Sequence, residues 1–362
     1  MIFSEKTTTQ PITKEQVWAL WQGVRSHHTI TILILLFVCC SCNSEQPGES
    51  LLQEPSGDAL LSVHSISAGG SRLTRGADAK PLPESVEVGF YMEALSKDGT
   101  TYYTNRNNVA GSYDADSRTW QPVAATPIWL NNRTANLAVY APYDVTQTNP
   151  ANGTLNLAAS LYSEEADLIS GRFTANNKTM TESPVSVTLE HLYARVVFTF
   201  IKNSTYTDAV TLGKIEWTGK DLYKTATYEL FSASPATAYT IPATDANRNL
   251  AFEISPGLSV GTDKTAVGAA RADLLVIPTN ADFTEDGTLT VTVSTTSATG
   301  DPVIRPMSVP IPKSLFAGDR RLAAGKQFNI TVLLSVTELT IDSVTTTDWL
   351  PVSDGTIDSE FD

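Results

Sequence analysis

Three cysteines, Cys39, Cys40 and Cys42, are the only thiols in the 362-residue chain, and they fall within four positions. Clustered thiolates suit zinc, but tetrahedral zinc takes four ligands, usually from two separated pairs, and no second Cys or His pair follows. A disulfide inside the cluster would close no useful loop. Of the four histidines, His27 and His28 precede the cluster, which leaves His64 and His191. A Ser-His-Asp or Cys-His arrangement needs a histidine poised as base. His191, in "LEHLYAR" between two apolar runs, reads instead as a histidine bonded to backbone or packed at a sheet corner. Carboxylates gather at Asp114 and Asp116 and at Asp282, Glu285 and Asp286, but neither group has calcium-loop spacing, and both read as solvated hairpin tips. With no Gly-rich phosphate loop either, no residue takes a catalytic, cofactor-binding or metal-binding role, and the chain reads as a non-enzyme.

The cysteines are explained by their neighbours, "RSHHTITILILLFVCCSC". The apolar run Ile30 to Val38 is shorter than the ~20 residues a membrane span needs and has the proportions of a signal-peptide core. A cysteine at the end of such a core resembles a bacterial lipoprotein signal, in which the thiol is acylated, as with palmitate, and becomes the first mature residue. Cys42 follows the small Ser41 and precedes the polar "NSEQPGES", so it is the expected lipidation site, ahead of Cys40 and Cys39. The run departs from the usual pattern in placing Cys39, not Leu, three positions upstream. Residues 1–42 are then leader and signal. Met1 to His28 is long for a leader, and a start read too early, with Val17 or Val24 as the true one, accounts for it.

Behind the signal, about 320 residues remain, which suits two domains. The formal net charge is -14 and no basic run occurs, which excludes a nucleic-acid partner. Thr is the commonest residue, with Ser, Ala and Val abundant, and β-branched residues pack well on a pleated surface. "SVEVGFYM", "TLTVTVS" and "QFNITVLLSV" alternate apolar and polar residues, as half-covered strands do. "ARVVFTFI" and "DLLVIP" are continuously apolar, as central strands are. Asp98-Gly99 and Asp286-Gly287 mark points where the chain should turn back. The expected fold is all-β, two β-sandwich domains of transthyretin-like or Ig-like type in series, at 76–194 and 195–362. The junction falls beside His191.

Several stretches together resemble the fimbrillin family, lipoprotein pilin precursors of Gram-negative cell-surface fimbriae of the type V pilus class. These are "TWQPVAATPIWLNNRTANLAVYAPYD", with Trp120 and Trp129; "DLISG" followed by "VTLEHLYARVVFTF"; and "LAAGKQFNITVLL" with "IDSVTTTDW", ending at Trp349. Trp120, Trp129 and Trp349 would each fill core volume, and Gly325 reads as a turn.

The resemblance implies a precursor that is exported, lipid-anchored at the cell outer membrane, and cut after its first strand by an arginine-specific protease. The vacated groove then takes a strand from a neighbouring subunit, and repetition builds an extracellular fimbrium for adhesion. Here "ALLSVHSIS", Ala59 to Ser67, is the expected first strand, within a tether of residues 43–75 removed on maturation. Cleavage is expected at Arg75, with Arg72 as second choice, in a Gly- and Pro-bearing loop open to nicking. The expected donor lies in 337–362, with Leu339, Ile341 and Val344 as the inserting side chains. Expected partners are other fimbrial subunits, the protease, the outer membrane before maturation, and a host or bacterial surface ligand. The tail and the arginine loop favour a shaft or tip position over a basal anchor. The competing reading is a monomeric outer-membrane lipoprotein that binds glycans by stacking Tyr102, Tyr103, Trp129 or Trp217 on sugar rings.

Overall fold

The computed structural model describes residues 57–69, 79–147, 153–244, 248–263, 270–279, 281–296, 300–316 and 321–349. It is an all-β fold. Ser85–Met92, read as a strand from its alternation, pairs from Val88 onward. Asp98 and Gly99 both take positive φ, 52° and 78°, which lets the strands Leu95–Lys97 and Thr100–Tyr103 fold back in a tight hairpin. Asp286-Gly287 does something else. Gly287 opens a strand in a different sheet from the preceding Ala270–Val276, so the chain crosses between layers there instead of reversing.

The first large sheet has eight strands, in the order Lys80–Pro81, Ser65–Gly69, Ser186–His191, Ile169–Ala175, Ala135–Ala141, Val88–Met92, Arg106–Asp114 and Thr119–Pro122. It curls around one apolar cluster that includes Leu61, Val63, Ile66, Phe90, Trp120, Leu137 and Leu189. Gly171 of the "DLISG" motif allows close approach of two strands, since a Cβ there would sit 2.4 Å from the Thr188 carbonyl oxygen.

The later residues form a sandwich. A five-stranded sheet runs Ser160–Leu161, Ala270–Val276, Ala194–Lys202, Lys326–Leu334, Leu339–Asp348, and a four-stranded sheet runs Asn249–Ser259, Ala209–Thr218, Gly287–Thr296, Val303–Ile311. Their inward residues share a second cluster, among them Phe198, Trp217, Val291 and Ile330, which Phe316 joins from the short helical turn Lys313–Phe316. The two runs flanking His191 lie as expected, one strand ending at His191 and the next beginning at Ala194.

A third cluster lies between these bodies. Tyr91 and Tyr140 meet Leu168, Leu192, Leu275, Ile277 and Trp349 there. Two strands that precede residue 194, Thr154–Ala158 and Ser160–Leu161, pair with strands that follow it, Thr225–Glu229 and Ala270–Val276. The two bodies are therefore joined by ladder hydrogen bonds as well as by packing.

Candidate assembly surfaces

The segment Gly57–Gly69 is where a strand could be lost. It does not run as the single strand expected from Ala59 to Ser67 but in two pieces. Ala59–Leu60 pairs with Trp129–Leu130, and Ser65–Gly69 lies parallel to Ser186–Glu190. Between them Val63 pairs with Trp120, Leu61 N donates to Ile128 O at 2.9 Å, and His64 N donates to Val185 O at 2.8 Å. Trp120 belongs to the last strand of the eight-stranded sheet, and Ser186 begins a strand near the first. The segment thus spans the gap between the two ends of the sheet and closes it.

Leu61, Val63 and Ile66 are buried in the core on this segment, while His64 and Ser65 at the bend face solvent. The bend is what the alternation missed, because it lets Ile66 regain the inward face after an odd step. Burying an aliphatic side chain contributes about 1.5–3 kcal/mol, so the three together contribute about 5–9 kcal/mol. That is comparable to the ~5–15 kcal/mol net stability of a whole domain. A chain stripped of this segment would need another occupant for the groove.

Arg72 and Arg75 fall outside the described residues, as does Cys42. Their neighbours are placed: Gly69 ends one strand, and Lys80–Pro81 runs back beside Ser67 and Ala68. A cut at either arginine would therefore divide the buried segment from the rest of the chain without severing any other described strand.

Leu339, Ile341 and Val344 lie on Leu339–Asp348, the edge strand of the five-stranded sheet, antiparallel to Lys326–Leu334. Their partners are Leu334, Val332 and Ile330, all core residues. The spacing from 341 to 344 is odd, which in a regular strand would put Val344 on the opposite face. A bulge resolves this: Thr331 faces Ser343 and Val332 faces Ile341, so Asp342 is an extra residue and Val344 returns to the core side. In this state the strand completes the chain's own sandwich. Its other edge is flanked by no described strand.

His191 is buried and held. Its Nδ1 lies 2.9 Å from Asp167 Oδ2, and its ring stacks on Trp349 with centroids 3.8 Å apart and an interplanar angle of 10°. Four residues on, Arg195 pairs with Asp273 and lies over the Tyr162 ring, 4.1 Å from its centroid. The sequence offered a backbone bond or a sheet corner for His191; its partner is the Asp167 carboxylate, and nothing in the sequence pointed to Asp167 or Trp349. Those contacts are set by tertiary packing across 158 and 24 positions of chain.

The carboxylate groups resolve as expected at one tip. Asp114 accepts from Asp116 N and from Ser117 Oγ in the hairpin before Thr119, and these hydrogen bonds, the Ser117 hydroxyl foremost, lower its pKa. Asp286 differs, its Oδ1 accepting from Lys313 N at 2.8 Å. Among the described residues no group of three His, Cys, Asp or Glu side chains is placed to hold a metal.

Of the aromatic residues considered for sugar stacking, Trp217 and Tyr103 are buried and can present no face. Trp129, expected in the core beside Trp120 and Trp349, is instead 51% exposed. It occupies the short strand paired with Leu60, where its neighbour Leu130 takes the inward position.

The family model described as Fimbrillin-like matches residues 74–349. Among solved structures, the chain is similar to a candidate cell adhesion protein from Bacteroides ovatus ATCC 8483, at 15% identity and TM-score 0.49, covering 82% of this chain and 100% of that one. A second, from Bacteroides uniformis ATCC 8492, has 14% identity and TM-score 0.47 over 80% and 98%. The fimbrial anchor protein Mfa2 from Porphyromonas gingivalis has 12% identity and TM-score 0.33 over 79% and 98%. No curated protein matches the chain. With the match running from residue 74, just after the buried first segment, to Trp349, the chain belongs to the fimbrillin-like family.

Proposed function

We propose that the chain is a fimbrial subunit, exported as a lipoprotein acylated at Cys42, matured by an arginine-specific cut at Arg75 or Arg72, and polymerised at the cell surface by strand exchange. It acts as two bodies, 76–194 and 195–362, with the strands of residues 154–161 crossing from the first to pair with the second, in a shaft or tip position. One observation carries the reading. The segment Gly57–Gly69 closes an eight-stranded sheet and buries Leu61, Val63, Ile66 and Ala68, yet it is joined to the body through the stretch that bears both arginines.

The physics of that segment sets the order of events. Cutting the chain at Arg75 breaks none of the described contacts of Gly57–Gly69, so the segment stays seated until something displaces it. Its departure uncovers backbone groups on Thr119–Pro122 and on Ser186–His191, edges that recruit another strand. A neighbour's strand supplies the missing hydrogen bonds and side chains together. Because donor and groove are different surfaces, the contact is head-to-tail and does not close on itself, and an open filament follows. The donor is the C-terminal region 337–362, with Leu339, Ile341 and Val344 inserting.

The test is arginine-specific proteolysis of purified precursor, followed by mass spectrometry and electron microscopy. Shortening to Gly76 with filament growth supports the proposal. A protein that remains monomeric after complete removal of residues 57–69 overturns it. That result would favour the glycan-binding lipoprotein reading, for which Trp129 remains the exposed aromatic face, Tyr102 being half-buried beneath the Arg133 guanidinium.

A further inference from the structure

Burial on the C-terminal strand is concentrated at its ends. Leu339 is buried, Ile341 and Val344 are half covered, and the rest of Leu339–Asp348 is exposed or half exposed. An edge strand with so little covered surface should peel, and should start from the end not tied back by a turn. The Leu339 end is tied, since Ser335 N donates to Glu338 O at 2.9 Å in the turn from the preceding strand. The Asp348 end is held by the ion pair of Asp348 with Lys326 and by the next residue, Trp349.

Trp349 is 1% exposed and sits in the cluster between the two bodies. Its backbone N–H donates to Gly325 O at 2.9 Å, and Gly325 takes a positive φ of 72° while donating to Tyr193 O. The indole lies in a socket whose walls are fixed from outside. His191 stacks on one face and is oriented by Asp167. Tyr162 meets the ring edge-on at 6.0 Å, and Arg195, held by Asp273, lies 5.7 Å from the indole centroid.

His191 is also the last residue of Ser186–His191, the strand whose other edge is covered by Ser65–Gly69. The pairing reaches Glu190 opposite Gly69, one residue short of the socket. One strand therefore carries the N-terminal segment along its edge and the stacking partner of Trp349 at its end.

We propose that Trp349 is a latch that holds the C-terminal strand in its own sheet, and that loss of the N-terminal segment loosens the latch through Ser186–His191. This inference rests on the strand-exchange reading, and it explains how a subunit keeps its donor strand stowed until its groove is open. A precursor would be locked at both ends, and departure of the cut segment would free both.

The test is hydrogen exchange at the amides of Leu339–Asp348, in full precursor and after arginine-specific proteolysis with removal of the first segment, for wild type, Trp349→Ala and Trp349→Phe. In wild type, loss of the segment should speed exchange of this strand by about tenfold or more while Ala194–Lys202 stays protected. Trp349→Ala should show the fast exchange already in the precursor and respond little to cleavage. Trp349→Phe, which keeps a ring on His191, should stay within about threefold of wild type. Unchanged protection in cleaved wild type overturns the latch, as does retained protection in Trp349→Ala. Equal loss across Ala194–Lys202 in that variant overturns it too, because the tryptophan would then be a general core residue. Filament formation, followed in the same samples by electron microscopy, bears separately on strand exchange. Cleaved protein that shows the exchange pattern but never polymerises would sink that reading and leave the latch standing.

Discussion

Val63 and Trp120 exchange both backbone hydrogen bonds, at 2.9 and 2.8 Å, and this pair is the seam at which the eight-stranded sheet closes. Val63 lies before the two arginines and Trp120 after them. The seam therefore joins a segment proposed to leave with a body that stays, and the stability of precursor and mature protein should respond differently to changes beside it.

Leu61→Ala separates the two states. Its side chain is buried beside the seam, so truncation should destabilise the precursor by about 2–5 kcal/mol, the range for a large-to-small change in a packed core. In mature protein that has lost residues 57–69 the same change should have no effect, because the residue is gone. Chemical denaturation before and after proteolysis measures both. A mature form that still carries the destabilisation would mean that the segment remains bound after cutting.

Arg75→Ala should redirect or abolish maturation. N-terminal sequencing of surface protein should give Gly76 in wild type and Leu73 in the variant if Arg72 substitutes, with the double change leaving the precursor uncut. A wild-type surface form that begins only at Cys42 argues for a basal anchor or a lipoprotein outside fimbriae.

Acylation should depend on Cys42 alone. Cys42→Ala should lose metabolic labelling with fatty acid yet yield a body of normal stability, since the thiol precedes every described core residue. Persistent labelling would move the site to Cys40 or Cys39.

Alkaline pH should act on the joint between the bodies. Burial raises the pKa of Tyr91 and Tyr140 well above the usual phenol value and pushes Tyr193 from 10.0 up to about 12, with Asp167 adding to the shift and a hydrogen bond from Ala158 opposing it. A phenol whose pKa is raised on folding gives stability that is complete below the unfolded value of 10.0 and is lost as pH rises toward the folded one. Between pH 10 and 12 Tyr193 alone should therefore forfeit about 3 kcal/mol, at 1.36 kcal/mol per unit. Denaturant midpoints at pH 8 and pH 11 should converge in Tyr193→Phe relative to wild type. An unchanged pH dependence in that variant would assign the loss to the other phenols of the joint, Tyr91, Tyr140 and Tyr162, whose pKa values burial also raises.

What the sequence made legible followed local rules. Asp98-Gly99 announced its hairpin because positive φ is a property of the two residues themselves. Asp286-Gly287 carries the same letters, but its chain was already committed to another sheet, and no local signal distinguishes a reversal from a crossover. Trp129 misled for a related reason. In a two-residue strand there is no alternation to read, and Leu130 took the inward face. Leu339, Ile341 and Val344 are legible as apolar side chains of one tail, but the bulge that puts all three on one face lies in the pairing with Thr331 and Val332, which only the fold supplies. The joint built by Tyr91, His191 and Trp349 was invisible because its members come from three distant stretches, each of which had a sufficient local explanation.

The donor strand is part of the chain's own sandwich, so a substitution in it acts on the monomer as well as on assembly. Ile341 sits opposite Val332 and packs against the chain's own core, so Ile341→Asp places a carboxylate on a face that matters before any exchange occurs. A monomer carrying it should lose roughly 1–3 kcal/mol, the penalty for a poorly compensated polar group at a half-covered site. Failed filaments would then have two causes. Mixing resolves them: cleaved wild-type subunits supply open grooves, labelled Ile341→Asp subunits supply only tails, and binding is read by sedimentation at a temperature where the variant is folded. If Leu339, Ile341 and Val344 insert into the groove vacated by Leu61, Val63 and Ile66, the variant tail should bind at least tenfold more weakly, since it must bury a charge where an aliphatic side chain belongs. A chain ending at Trp349 keeps every described contact of the strand and should fold with wild-type stability, whereas one lacking residues 337–362 uncovers Ile330, Val332 and Leu334 and should be markedly less stable. Filaments of normal length from that shorter chain would exclude this region as the donor.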